Sequence, residues 1–145
     1  AVVTPAAVAT APKRPAGALA SRGEVLLVED DLAVAALTTE MLKSTGYAVS
    51  HVKSAAAALD ILSDGRGFDV VLSDVMMPGG MNGVDLARVI RERRPDIPVV
   101  LTTGYIEAAR TAMAEGLEVL VKPFQIEALA AILDGQIAGR MARAQ

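Results

Sequence analysis

From residue 24 onward the chain repeats one pattern: a short apolar run, a few polar residues, then a longer amphipathic stretch. Four of the runs consist of Val and Leu without alternating polar residues: 25–28, 70–72, 99–101 and 119–121. Continuous apolar strands are typical of a parallel sheet covered by helices on both faces. The more polar segment 47–52 suits a fifth strand at an edge of that sheet.

The segments between the strands have the spacing of amphipathic helices. The clearest covers 32–45 and ends before Gly46, with Val34, Leu37, Met41 and Leu42 predicted on one face. Asn82 is placed to cap a helix over 83–94, and further helices are predicted over 54–62, 107–115 and 125–133. Five strands alternating with five helices predict an α/β protein. Right-handed crossovers favour the flavodoxin-like parallel order 2-1-3-4-5.

Composition divides the chain into three parts. Residues 1–23 are rich in Ala and Pro and show neither the periodicity of a helix nor that of a strand, so we predict a disordered linker. Residues 24–134 are predicted to form one domain, and 135–145 a tail or an extension of the last helix, where Gly135 and Gly139 weaken helical structure.

Several functional classes fit the composition poorly. A net charge of −3 gives no broad basic surface, so direct contact with nucleic acid is not expected. The chain has no cysteine and one histidine, so a bound metal would be held mainly by oxygen. No apolar run approaches the roughly 20 residues that cross a bilayer, and no secretory leader is evident, so direct membrane contact is not expected.

Polar side chains follow four of the five predicted strands. In strand order they are Glu29, Asp30 and Asp31; Asp74; Thr102 and Thr103; and Lys122 and Pro123. Each has an ordinary structural explanation when taken alone, such as capping a helix or ending a strand. Together they indicate one pocket, because ligands of such sheets bind outside the carboxyl ends of the strands.

The residue types in this pocket predict phosphoryl chemistry. Carboxylates crowded around Asp30 and Asp74 favour a shared cation, and oxygen ligands suit Mg²⁺. A carboxylate whose charge is neutralised in this way can attack a phosphoryl group. Lys122 and Thr103 offer donors for the oxygens of the product. A general hydrolase would be expected to carry a histidine or a second nucleophile here, and neither is present.

Four motifs in this order, VLLVEDD, VVLSDVMMPGG, VVLTTGY and VLVKPF, resemble the receiver domain of response regulators and hybrid histidine kinases, from about residue 24 to 133. The resemblance implies that Asp74 is the phosphoacceptor and that Mg²⁺ is held by Asp30, Asp74 and the main-chain carbonyl of Met76, with Glu29 acting indirectly. It further implies Thr103 as the switch hydroxyl, Lys122 as the phosphate-binding lysine, and a cis bond between Lys122 and Pro123.

Two departures from the family pattern bear on the response to phosphorylation and on the context of the domain. Val119 stands where many receivers have the aromatic partner of the switch threonine, and Tyr105 is the alternative candidate for that part. The loop sequence GGMNG after Pro78 is one residue longer than the commonest form, as in receivers attached to hybrid kinases.

The resemblance implies a signalling function in two-component systems. The expected partners are a histidine kinase dimerisation domain or a histidine phosphotransferase, and the expected location is the cytoplasm, free or tethered through a membrane-associated kinase. The domain's own chemistry would be its phosphorylation and dephosphorylation. We interpret the chain as the receiver of a hybrid histidine kinase, with a free-standing single-domain regulator as the main alternative. A phosphatase with an aspartate nucleophile is less consistent, because its second aspartate would stand where Met76 does.

Two other features favour structural interpretations. His51 could be imagined as a phosphoryl donor, but its position at a strand end or edge is typical of an ordinary polar residue. Arg88, Arg91, Arg93 and Arg94 have the spacing of a solvated helix face rather than of a phosphate site.

Overall fold

The computed structural model describes residues 23–65, 67–77 and 80–144, with side chains described as far as 139. Residues 1–22 of the predicted linker, and Pro78 and Gly79 of the longer loop, lie outside the described residues. The division into a linker, a domain and a C-terminal segment therefore stays a prediction.

Five parallel strands form one sheet. They are β1 (Gly23–Val28), β2 (Tyr47–Val52), β3 (Val70–Asp74), β4 (Val99–Thr103) and β5 (Glu118–Val121). The order across the sheet is β2-β1-β3-β4-β5, which confirms the predicted topology and places the more polar strand at an edge. The register pairs Asp74 with Thr102, so the polar ends of β3 and β4 lie side by side.

Within the described part of the chain, five helices connect and follow the strands. They are α1 (Leu32–Ser44), α2 (Ala55–Ser63), α3 (Gly83–Arg93), α4 (Ile106–Ala114) and α5 (Ile126–Ala144). The first four agree with the predicted segments to within one residue at each end. The last runs through Gly135 and Gly139, because Leu129, Leu133 and Ile137 recur every four residues and are all buried.

One detail of the predicted α1 is wrong. Leu37 was expected on the same face as Leu42, yet Leu37 is 64% exposed and Leu42 is fully buried. The helix instead buries Ala35, Thr38 and Leu42 against the sheet. The buried face of α1 thus consists mainly of small side chains, and the larger Leu37 lies outside it.

The core consists of layers on the two faces of the sheet, as continuous apolar strands predict. Along β1, Val25 and Leu27 face the layer that includes Leu133 of α5. Leu26 and Val28 face the opposite layer, with Leu86 and Ile90 of α3. Within the described residues, no helix has the length and apolar character needed to span a membrane. The polar residues at the ends of β1, β3 and β4 are held by strands that are mostly buried.

Candidate functional site

The carboxyl ends of β1, β3 and β5 bring together four of the predicted site residues. Glu29 and Asp30 follow β1, Asp74 ends β3, and Lys122 follows β5. One carboxylate oxygen from each of Glu29, Asp30 and Asp74 lies within 4.8 Å of the others. These acids are close enough to share one cation.

Lys122 lies between two of the acids. Its Nζ is 3.5 Å from Glu29 Oε1 and 3.5 Å from Asp74 Oδ2. Its main-chain N–H donates to the carbonyl of Thr103 at 2.8 Å, which anchors the start of this segment to β4. The bond between Lys122 and Pro123 is cis, as predicted.

Glu29 is the most buried acid of the group, with 4% of its surface exposed. Burial is the largest influence on its pKa and raises it above 4.5, while a hydrogen bond from the Asp31 N–H acts in the opposite direction. Asp74 raises the pKa further and Lys122 lowers it. The ionised form of Glu29 would thus be stabilised by additional positive charge in this pocket.

His51 supports the main chain beside this acid. Its Nε2 lies 2.7 Å from the carbonyl oxygen of Glu29, and the Glu29 N–H donates to the Val52 carbonyl at 3.0 Å. The histidine is an exposed residue of the edge strand β2 that bonds to the backbone. This contact agrees with its interpretation as a structural polar residue.

The donor set fits a small hard cation. Three carboxylates lie together, and oxygen ligands of this kind suit Mg²⁺, which keeps several waters in an octahedral shell. Met76 is placed beside them, since its N–H donates to Asp74 Oδ1 at 3.3 Å, while its side chain is 54% exposed. Ligation by the Met76 carbonyl stays a prediction.

Asp31 has a separate role from its two acidic neighbours. Its side chain accepts hydrogen bonds from the N–H groups of Ala33 at 3.0 Å and Val34 at 3.1 Å. It is therefore the N-cap of α1. For Asp31 the ordinary structural explanation is the correct one.

Thr103 is buried, and its hydroxyl already has a partner. Its Oγ1 accepts a hydrogen bond from the Tyr105 N–H at 3.1 Å, and 1% of the residue is exposed. Tyr105 points its ring to solvent at 65% exposure, and Val119 packs beside the cluster that contains Leu101 and Leu117. The position of the missing aromatic is thus occupied by a side chain that belongs to the core, and the switch role of Thr103 stays a prediction.

The backbone around Asp74 is supported by contacts that the sequence did not predict. A Cβ on Gly83 would lie 2.2 Å from the Asp74 carbonyl oxygen, so only glycine permits this approach of α3 to β3. The Gly83 N–H donates to the Val75 carbonyl at 2.9 Å, and Ser73 Oγ donates to the Asp74 carbonyl at 3.0 Å. The sequence showed only that Gly83 begins a predicted helix, a position that many other residue types can occupy. It did not show that this position needs a residue without a side chain.

Known proteins are similar to this chain in sequence and in fold. A model of the response regulator receiver domain matches residues 25–134. The response regulator protein FleR of Pseudomonas aeruginosa is 44% identical over 109 residues, which cover 73% of this chain and 23% of FleR. The sensor kinase CckA of Brucella abortus is 40% identical over 116 residues, which cover 77% of this chain and 12% of CckA. The chain thus spans less than a quarter of the length of these two relatives.

Solved structures agree with the sequence matches. Full-length FixJ from B. japonicum superposes with a TM-score of 0.77 at 31% identity, covering 86% of this chain and 62% of FixJ. The signal receiver domain of an HD domain-containing protein from Pseudomonas fluorescens superposes with a TM-score of 0.75 at 25% identity, covering 94% of this chain and 96% of that one. The fold therefore matches part of a full-length regulator and nearly all of an isolated receiver domain.

Proposed function

Because this chain belongs to the response regulator receiver domain family, we propose that Asp74 accepts a phosphoryl group from a phosphohistidine, in a reaction that requires Mg²⁺. The observation that supports this most is the charge of the pocket. Three carboxylates face one ammonium group, Lys122, at 3.5 Å from two of them. With all three acids ionised, the pocket has an excess of two negative charges, which a single divalent cation would balance.

In this proposal the chain's own residues position and stabilise the transferred group. An Asp74 carboxylate oxygen attacks phosphorus, the bond from phosphorus to the histidine nitrogen breaks, and that nitrogen keeps the electron pair. Lys122 exchanges its contact with Asp74 Oδ2 for a phosphoryl oxygen, and the Thr103 hydroxyl donates to another. When bound, Mg²⁺ supplies the positive charge that lets two anions approach.

The surface beside the acids suits a helical phosphodonor. Leu32 and Leu37 of α1 are 60% and 64% exposed, and α1 begins directly after the acidic segment. Met76, on the other side of Asp74 along the chain, is 54% exposed. An apolar helix face could pack on these side chains while its histidine reaches Asp74. A histidine kinase dimerisation domain or a histidine phosphotransferase has this form.

For the context of the domain, we propose the receiver of a hybrid histidine kinase in the cytoplasm, either free or tethered through that kinase. The similarity to the sensor kinase CckA over 77% of this chain supports this reading. The similarity to FleR supports a response regulator instead. Onward transfer of the phosphoryl group from Asp74 to a purified histidine phosphotransferase supports the hybrid kinase, whereas a phosphorylated chain that does not pass the group on supports the regulator.

The test of the proposal uses beryllofluoride, which mimics a phosphoryl group on a carboxylate. With Mg²⁺ present, we expect the backbone amide signals around Asp74, Thr103 and Lys122 to shift. We also expect Asp74→Asn to lose both these shifts and the covalent label from a small phosphodonor such as acetyl phosphate. Unchanged wild-type signals, or equal labelling of Asp74→Asn, would refute the assignment.

A further inference from the structure

Helix α4 is held weakly by packing. It has nine residues, and its buried residues are Ala109 and Ala112. Its N-cap, Tyr105, provides no side-chain hydrogen bond to the first turn. Ile106 and Met113, its large apolar side chains, are 54% and 53% exposed. Little apolar area therefore fixes the position of this helix, so individual polar contacts at its ends matter more.

The C-terminal end of α4 is attached to α3 by a two-point contact. Arg88 Nε donates to Glu115 Oε1 at 3.0 Å, and Arg88 Nη2 donates to Glu115 Oε2 at 2.6 Å. Glu115 is the C-cap of α4. A planar pair of this kind restrains orientation as well as distance.

The same guanidinium is fixed on its own helix. Arg88 Nη1 donates to Asp85 Oδ1 at 3.2 Å. Asp85 in turn forms a capping box with Asn82, accepting from the Asn82 N–H at 3.3 Å and donating its N–H to the Asn82 side chain at 2.9 Å. The guanidinium that contacts Glu115 is thus also bound to the capped first turn of α3.

The N-terminal end of α4 is connected to the candidate site. The Tyr105 N–H donates to Thr103 Oγ1, so a movement of the Thr103 side chain towards Asp74 changes the hydrogen bond at the start of the helix. The two ends of α4 therefore differ: one depends on a site residue and the other on α3.

We propose that Arg88 is a positioning residue that anchors the C-terminal end of α4, so that phosphorylation of Asp74 rearranges the N-terminal end while the C-terminal end stays in place. This inference rests on the proposed phosphorylation of Asp74. The contact between Arg88 and Glu115 is partly exposed. It is sufficient to hold this end of α4 because the packing that otherwise holds the helix rests on two buried alanines.

The first experiment tests the anchor without phosphorylation. Hydrogen exchange is measured on the wild-type protein, Arg88→Gln, and the control Arg93→Gln, which changes an exposed arginine of the same helix. The amides of Glu115, Gly116 and Leu117 bond to carbonyls of Ala112 and Met113, so they report on this end of α4. Arg88→Gln should speed their exchange about two- to fivefold, and Arg93→Gln should leave it unchanged. Equal exchange in wild type and Arg88→Gln overturns the anchor and leaves the phosphorylation of Asp74 untouched.

The second experiment adds Mg²⁺ and beryllofluoride and compares amide shifts at residues 105–109 with those at 113–117. In the wild type the shifts should be concentrated in 105–109, and in Arg88→Gln they should spread to 113–117. Equal shifts at both ends of the wild-type helix, or the same distribution in the variant, overturn the proposal. A wild type without any shift around Asp74 instead overturns the proposed function and this inference with it.

Discussion

Lys122 is the cation that contacts two of the three acids that the described residues place in the pocket. Its ammonium is 3.5 Å from both Glu29 and Asp74, and its side chain is 28% exposed. Replacing it by methionine, Lys122→Met, keeps the length and leaves the acids without this partner. We expect the free energy of unfolding to fall by roughly 1–2 kcal/mol in EDTA and to recover largely with Mg²⁺, as measured by urea denaturation.

Two controls define this effect. Asp74→Asn removes a negative charge from the same group and should raise the free energy of unfolding in EDTA by about 1 kcal/mol. Lys53→Met changes an exposed lysine and should have little effect. If Lys122→Met and Asp74→Asn shift the stability in the same direction, crowding of charge does not govern this pocket.

At the scale of single residues, the sequence predicts which side chains meet but not how each is used. Glu29, Asp74 and Lys122 could be placed because apolar runs locate strand ends and parallel strands share one edge. The capping role of Asp31 could not be separated from ligation, since both need a carboxylate directly after β1. Gly83 was missed because its requirement comes from the Asp74 carbonyl, which is close in space and unmarked in the sequence.

At the scale of elements, two glycines in helices should respond in opposite ways to the same substitution. Gly83→Ala would place a Cβ 2.2 Å from the Asp74 carbonyl oxygen, so we expect a loss of about 3 kcal/mol or more. Gly135→Ala in α5 meets nothing within 4 Å and should add up to about 1 kcal/mol. Chemical denaturation of both variants measures the difference. A neutral Gly83→Ala would show that α3 can move away from β3 without cost.

The pair that joins α3 and α4 predicts a pH dependence. The hydrogen bond from Arg88 is the main cause that lowers the pKa of Glu115 below 4.5. Because the folded-state pKa is depressed, the contribution of the pair to stability is complete above 4.5 and is lost as the pH falls through the lowered value. Arg88→Gln should bring the pKa of Glu115 back towards 4.5 in a carboxyl NMR titration.

A matched arginine on α4 provides the control for this titration. Arg110 pairs with Glu107 at 3.8 Å, so Arg110→Gln should leave the pKa of Glu115 unchanged. An unchanged pKa in Arg88→Gln would contradict the two-point contact.

Elements were predicted well where one periodicity dominates and less well where packing decides. The strands and the starts of most helices follow from apolar runs and from caps such as Asn82, which forms the predicted N-cap. The buried face of α1 was misjudged because Ala35 and Thr38, which carry little hydrophobic signal, lie against the sheet. For 135–145 the sequence left a tail and an extension of the last helix open, and α5 takes the extension because the buried Ile137 offsets the weakening effect of the glycines on either side of it.

At the scale of the whole molecule, the proposed cation should stabilise the fold. Binding to the folded state alone adds about 1.4 kcal/mol at a free Mg²⁺ concentration ten times the Kd. For a domain of this size that corresponds to a rise in Tm of about 6 °C, measurable by circular dichroism. The rise should vanish in Asp30→Asn combined with Asp74→Asn. An equal rise with NaCl at matched ionic strength would indicate screening instead of binding.

The order of the five strands could be predicted because few topologies satisfy right-handed crossovers between parallel strands. The identity of the phosphodonor could not, because a partner is recognised by shape and exposed side chains. Leu32 and Leu37 are examples. Both are exposed, and this depends on which face of α1 packs on the sheet, which the sequence did not predict correctly.

The two outer strands, β2 and β5, also affect the tendency of the protein to associate with copies of itself. A sheet edge offers unpaired backbone groups on which another chain can template a strand, and short or charged edges discourage this. β5 has four residues and begins with the exposed Glu118, while β2 carries the exposed His51 and is followed by the exposed Lys53. The strand order that brings the acids together also places β2 and β5 at the edges of the sheet. Because β5 is short and both edges carry exposed polar or charged residues, we expect the protein to resist aggregation at high concentration.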